Sequence, residues 1–255
     1  MNELHSAIEH ALVGVDKPFA AFDFDGTCIV NDIAEATLAY LCKNKLLKNM
    51  HLLGHDAGDL STYHERVIQQ YYELLETGDM LAAYLFAART FAGFTVSEAE
   101  AQVSAAIDAE GEDLGKVELY GVSIAHGLLA RPAVKELMQF LRERGVTIWV
   151  ISASPQIAVQ VAMRHFGYKG QLIGLRNKLV DRILTEDIEE PYSIREGKVS
   201  CIQKYIDENE RPVLCIGDST NDQPMIEYSR IPVVVDCGNA LAKLARERGW
   251  HLITQ

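Results

Sequence analysis

The strand-like runs of this chain are unevenly distributed, and that distribution limits the fold more than any other feature. One short apolar run, Phe19-Ala-Ala-Phe22, comes early and ends at Asp23. From about Asp32 to about Ala109 the pattern is helical, with no strong strand candidate. Ala36, Leu38, Ala39, Tyr40 and Leu41 point to one helix, and residues 61–76, 79–91 and 97–109 to three more, separated at Gly78-Asp79 and Gly93. After Gly127 the character changes to alternation. Pro132 opens a helix whose Val134, Leu137, Phe140 and Leu141 share a face and which stops at Gly145. Val146 to Ile151 reads as a strand, and a helix opened by Pro155 closes at Gly167. Leu172-Ile173 suggests a short strand, and residues 198–207 another helix. Val213 to Ile216 and Pro232 to Val235 are two further strands, each followed by a helix. Strands alternating with helices require crossovers, and hence a parallel sheet covered on both faces.

The expected architecture is therefore an α/β core of two separated pieces, 1–31 and 128–255, joined by a mostly helical insert over 32–127. An insert after the first strand stands over the carboxyl ends of the strands, where open α/β sheets bind ligands. It reads as a cap.

Composition narrows the function. The 255 residues carry a net charge of −12 with no basic stripe, so nucleic acid is not an expected partner. Positive charge for an anionic substrate must then come from a few residues or a metal. Cys28, Cys42, Cys201, Cys215 and Cys237 are scattered, without zinc or redox-dithiol spacing, which points to a reducing compartment. The first sixteen residues lack the apolar stretch of a signal peptide, and no run reaches the ~18 apolar residues of a membrane span. A cytoplasmic protein with no membrane partner is expected.

Four polar sites sit where chemistry could. Asp23-Phe24-Asp25-Gly26-Thr27 puts two carboxylates at the end of a buried strand, which is costly unless a metal or hydrogen bonds compensate. One could attack as a nucleophile while the other moves a proton, or the stretch could be a polar turn. Ser152 ends a strand before Ala153-Ser154-Pro155 and suits a phosphate oxygen or a plain helix cap. Lys198 stands at a helix start, where it opposes the helix dipole; a bound anion would explain it, as would simple solvation. Gly217-Asp218-Ser219-Thr220-Asn221-Asp222 offers hard oxygen donors for Mg²⁺, or an acidic turn capping a helix.

Taken in order, with spacings of 129, 46 and 20 residues between Asp23, Ser152, Lys198 and Asp218, these sites resemble the haloacid dehalogenase superfamily. Arg131-Pro132, Ile151-Ser-Ala-Ser-Pro155, Glu196-Gly-Lys198, Gly217-Asp-Ser219 and Ala245-Arg-Glu-Arg-Gly-Trp250 add to the likeness, which points to the subgroup of phosphoserine and phosphocholine-type phosphatases. The resemblance covers roughly 150 core residues and the cap only in kind. It implies a Rossmann-like doubly wound sheet with a helical cap and a Mg²⁺-dependent phosphatase. Asp23 is then the nucleophile that becomes an aspartyl-phosphate, and Asp25 the acid/base. Mg²⁺ would be held by Asp23, Asp218 and the backbone carbonyl of Asp25. Thr27 and Ser152 would hold phosphoryl oxygens, Lys198 would neutralise charge, and Asn221 and Asp222 would orient the lysine, metal waters or the Ser152 side. The family's dehalogenases lack the second Asp, so Asp25 disfavours dehalogenation.

The substrate is less defined. The position nine residues beyond Asp23, a Glu in the phosphoserine phosphatases, is Asp32 here, and their Gly-Gly after the serine is Ala153-Ser154. Asp32 could face a substrate amine or cap the helix over 33–42. Tyr63, Tyr71, Tyr72, Tyr84, Phe86, Phe91 and Phe94 could cage a choline head or form the core of the helical insert. His51, His55 and His64 share no helix face and are read as surface or core residues. The reading is a small phosphomonoester as substrate. Alternatives are a phosphotransferase or mutase, and a phospho-ligand binder without turnover.

Overall fold

The computed structural model describes residues 2–54 and 59–254, so His55 lies outside the described residues. The first half runs α1 (Asn2–Ala11), β1 (Phe19–Phe22), β2 (Ile29–Val30), α2 (Ile33–Lys43), α3 (Tyr63–Glu76), α4 (Met80–Arg89) and α5 (Val96–Glu110). A hairpin, β3 (Gly115–Leu119) and β4 (Val122–His126), leads to β5 (Leu129–Ala130). The second half runs α6 (Pro132–Glu143), β6 (Thr147–Pro155), α7 (Gln156–Phe166), β7 (Gln171–Leu175), β8 (Asn177–Val180), β9 (Ile183–Ile188) and α8 (Glu196–Tyr205). It ends with β10 (Leu214–Gly217), α9 (Gln223–Tyr228), β11 (Ile231–Val235), α10 (Ala240–Arg248) and β12 (His251–Ile253).

The main sheet has the order β12-β11-β10-β1-β6-β7, and every pairing in it is parallel. β1 is interior: Ala20 faces Leu214 on one side and Ile148 on the other. Successive side chains of a strand point to opposite faces, and helices cover both, so the strands must be apolar throughout. Ala20, Phe22, Val150, Ile216 and Val233 accordingly belong to one buried cluster, and Ala21, Ile151, Cys215 and Val234 to the other.

Two short strands mark where the chain leaves this core and returns. β2 and β5 pair antiparallel, Ile29 opposite Ala130 and Val30 opposite Leu129. Between them lie α2 to α5 and the β3–β4 hairpin. That hairpin is a strand-forming part of a segment expected to be mostly helical, and it lies past Ala109, where the helical pattern ends. β3 is exposed along most of its length, so no alternation of apolar and polar residues betrays it.

Other elements were not anticipated either. α1 buries only Leu4 and Ile8, too few for a visible period. β8 and β9 form a hairpin whose turn residues Asp181 and Arg182 both have left-handed φ, +50° and +68°, without glycine. The strand expected to stop at Ile151 continues to Pro155, and the helix begins at Gln156. The β8–β9 hairpin grips the helical segment. Gly93 N donates to Leu184 O (2.9 Å), Leu184 N to Phe94 O (2.8 Å), and the Asn177 amide to Ala88 O (2.9 Å). The Asn49 amide donates to Glu186 Oε1 (2.6 Å), and Leu85 and Ala88 pack with Ala153, Leu175, Ile188 and Ile194.

Candidate active site

The carboxyl ends of β1, β6 and β10 converge on a cavity of about 350 Å³ lined by Asp23, Asp25, Asp32, Ser152 and Asp218. Asp23 follows β1 directly and its amide donates to Ile216 O at 2.9 Å, which continues the sheet ladder into the loop. The loop then turns sharply, with the amides of Thr27, Cys28 and Ile29 all donating to Phe24 O. Gly26 has φ +71°, and a Cβ there would lie 2.5 Å from an Asp218 carboxylate oxygen. Only glycine allows the loops after β1 and β10 to approach this closely.

Lys198 is fully buried, not solvated, with Nζ 2.6 Å from Asp23 Oδ1 and 2.6 Å from Asp222 Oδ1. The other Asp222 oxygen accepts from the amides of Asp218 and Ser219 and from the Ser219 hydroxyl, each at 3.2 Å. Asp222 therefore ties lysine to loop and makes no side-chain cap to α9. Asn221 Oδ1 accepts from Arg195 N (3.1 Å), where φ is +50°, and so holds the start of α8. Thr27 Oγ1 donates to Asp218 Oδ1 at 3.3 Å.

Asp25 faces a different set of partners. Its Oδ1 accepts from Ile33 N (2.8 Å), and its Oδ2 from Ser154 Oγ (2.7 Å) and Ser152 Oγ (3.3 Å). Ser152 also accepts from Ser154 N at 3.0 Å. It caps no helix, because β6 runs on through it. Ser154, two residues along the strand, escaped the sequence reading although period-2 alternation puts it on the same side. Arg131, also not singled out as a site residue, lines the cavity and donates from Nε to Gly26 O at 3.1 Å.

Asp32 lines the cavity and also caps α2, its Oδ1 accepting from Ala34 N (2.7 Å) and Glu35 N (3.0 Å). The aromatic cage does not assemble. Tyr63, Tyr71, Phe86, Phe91 and Phe94 are buried in the core, and the Tyr71 and Tyr72 hydroxyls donate to Glu35. Of these rings, among the described residues, Tyr84 alone lines the cavity. His64 is buried against Tyr63, and His51 is exposed.

The electrostatics follow from burial. Desolvation, then the Asp32 charge, pushes Asp25 up to about 8; desolvation, then Asp222, pushes Asp218 up to about 8. Burial and Asp222 also push Asp23 upward, while Lys198 pulls it down. Burial works against the Lys198 ammonium, but Asp222 and Asp23 outweigh it and hold the group above its ordinary value. Asp23, Asp218 and Asp222 each offer a carboxylate oxygen within 4.8 Å of the others. Three carboxylates share one ammonium, and all donors are hard oxygens. That set fits a hard divalent cation such as Mg²⁺. The Asp25 carboxylate is engaged elsewhere, which leaves only its backbone carbonyl for such a centre.

Residues 20–227 match the family model described as haloacid dehalogenase-like hydrolase. The chain is 27% identical to the phosphorylcholine phosphatase of Pseudomonas aeruginosa over 241 residues, spanning 79% of this chain and 68% of that protein. It is 28% identical over 149 residues to a phosphoserine phosphatase of Mycobacterium tuberculosis, covering 56% of this chain and 48% of the relative. A conserved Anaerococcus prevotii protein of unknown function superposes with a TM-score of 0.73 at 20% identity, over 100% of this chain and 92% of its own. A phosphoserine phosphatase solved as a phospho-aspartyl intermediate analogue gives a TM-score of 0.55 at 16% identity, covering 90% and 91%. These structural likenesses establish the fold, an α/β architecture built on a parallel six-stranded sheet.

Proposed function

Because the chain belongs to the haloacid dehalogenase-like hydrolase family, we propose that it is a Mg²⁺-dependent phosphatase of a small phosphomonoester, acting through an aspartyl-phosphate on Asp23. One observation carries this reading: a fully buried Lys198 clamps Asp23 and Asp222 at 2.6 Å each, while Asp25 is held apart by neutral donors. One carboxylate is thus fixed for attack, with Lys198 offsetting the upward push of its burial, and its neighbour two residues on is bound by neutral donors, where it can carry a proton.

In the first half-reaction an Asp23 oxygen attacks phosphorus, the ester P–O bond breaks, and Asp25 gives its proton to the leaving oxygen. In the second, water attacks the phosphoryl group, its proton passes to Asp25, and the bond to Asp23 breaks, releasing phosphate. Asp23, Asp218 and the Asp25 carbonyl would hold Mg²⁺, with Asp222 close by; when bound, the ion supplies charge compensation for an anion approaching an anion. Lys198 compensates charge on Asp23 directly. Ser152 and Thr27 would turn their hydroxyls to phosphoryl oxygens. Asp222 and Asn221 act indirectly, through Lys198 and the start of α8.

Asp32 and Tyr84, both on the cavity wall, would meet an amine or quaternary ammonium head. The names of the similar phosphorylcholine and phosphoserine phosphatases support that class. Residues 32–127 form the cap over a core of 1–31 and 128–255 in this reading. Among the described residues no helix is long and apolar enough to cross a membrane. The five unpaired thiols favour a reducing, cytoplasmic setting.

The test is phosphate release from phosphorylcholine, phosphoserine, phosphoethanolamine, pyridoxal phosphate and sugar phosphates, with Mg²⁺ or EDTA, in wild type and Asp23→Asn. Turnover that needs the metal and is lost in the variant is expected. Phosphoryl transfer to a second acceptor without free phosphate would instead make the protein a phosphotransferase or mutase. Binding without any turnover would make it a phospho-ligand receptor.

A further inference from the structure

We infer that Ser154 is the positioning residue of the acid/base: its hydroxyl, with the Ile33 amide, locks the Asp25 carboxyl in one orientation through both half-reactions. The inference rests on the phosphatase reading above and adds to it a residue that the sequence reading gave no role of its own.

The shortest hydrogen bond to Asp25 comes from Ser154 Oγ, at 2.7 Å, against 2.8 Å for Ile33 N and 3.3 Å for Ser152 Oγ. Ser154 is 2% exposed, so no solvent competes for its hydroxyl. Its backbone is fixed as well. Ser154 lies within β6, its amide donates to Ser152 Oγ, and the Ser152 carbonyl accepts from the buried Ser193 hydroxyl. Between the two serines, Ala153 turns the opposite way into the cluster with Leu85 and Leu175. The strand is thereby anchored on both sides at the point where it touches Asp25.

The chemistry asks for a hydroxyl. The Ile33 N–H can only donate, so Oδ1 is an acceptor in every state and the proton that Asp25 carries resides on Oδ2. A hydroxyl both donates and accepts. It can donate to Oδ2 when Asp25 is a carboxylate, and it can go on donating to a remaining lone pair of that oxygen while the acid proton is aimed at the leaving oxygen. No side chain has to move between donating the proton to the leaving oxygen and taking one from water. An alanine or glycine at 154 leaves only the longer Ser152 contact on Oδ2, and the carboxyl is free to turn about its Cβ–Cγ bond.

The experiment compares wild type, Ser154→Ala and Ser154→Thr, all with Mg²⁺, on p-nitrophenyl phosphate and on phosphorylcholine. Nitrophenolate departs without a proton and choline needs one, so the first half-reaction separates positioning of the acid from general damage. In single-turnover mixing, Ser154→Ala is expected to slow choline release by about ten- to a hundredfold, within the range of general acid catalysis. Nitrophenolate release in the first turnover and KM for both esters should change by less than about threefold, and Ser154→Thr should restore choline release. An unaffected Ser154→Ala, or equal losses on both esters, would overturn the inference while leaving the phosphatase reading intact. A wild type inert towards both esters would overturn that reading, and the inference with it.

Discussion

Lys198 shows how the site is built at the scale of single residues. An isolated ammonium in the interior costs several kcal/mol, so its burial makes sense only with Asp23 and Asp222 both in place. The sequence displays the lysine at a helix start but not its depth, because depth is set by the sheet that α8 packs on. The same holds for Asp25: its place in the motif is legible, its attachment to Ile33 and Ser154 is not, since those partners arrive from two other elements. Asp32 caps α2 and lines the cavity, and substitution can separate the cap from the proposed recognition of a head group. Asp32→Asn keeps a side-chain oxygen for Ala34 N and Glu35 N, so unfolding stability should stay within about 0.5 kcal/mol of wild type. Asp32→Ala loses the cap and should cost about 1 kcal/mol. If Asp32 reads a cationic head, both variants should raise KM for phosphorylcholine about tenfold and leave KM for p-nitrophenyl phosphate unchanged. Parallel kinetics and urea titrations decide between cap alone and cap plus recognition.

At the scale of elements, the well-buried helices and strands are legible because burial imposes a period on the one and an unbroken apolar run on the other, whereas α1 and the exposed hairpins show neither. β3–β4 and β8–β9 are held by backbone pairing and by neighbours far away in the chain, and the turn of β8–β9 lacks the usual glycine signal at Asp181 and Arg182. Helix α5 is held at its start by a capping box in which Thr95 Oγ1 accepts from Glu98 N, and the Glu98 carboxylate accepts from Thr95 N. Lys48 sits 2.8 Å from the same carboxylate and, with Thr95, lowers it to about 2. A depressed carboxylate contributes stability that is present above its ordinary value near 4.5 and is lost as pH falls through about 2. Glu98→Gln should therefore be less stable than wild type at pH 6, with the gap closing towards pH 2. Urea midpoints across that range check it, and a pH-independent gap would assign the effect to packing.

For the whole molecule, the site is the place where distant parts of one sheet meet, and its charge couples binding to folding. Asp23, Asp218 and Asp222 come together only in the folded chain. A cation that binds this cluster stabilises the native state by about 2.7 kcal/mol when present at a hundred times its Kd. Mg²⁺ should accordingly raise the midpoint of thermal unfolding, EDTA should reverse the shift, and Asp218→Asn should abolish it. A midpoint indifferent to Mg²⁺ in wild type would remove the cluster as a metal centre.

The central position of β1 has a last consequence, in time. Its nearest partner register pairs Phe19 with Thr147, and the one on its other side pairs Ala20 with Leu214. On a ribosome adding roughly 5–20 residues per second, Phe19–Phe22 is synthesised about 6 to 26 seconds before its first neighbour. The strand that leads into Asp23 is the first of the sheet to be made, yet its second partner follows only at residue 214, so the loop after it takes its shape only once translation has passed β10.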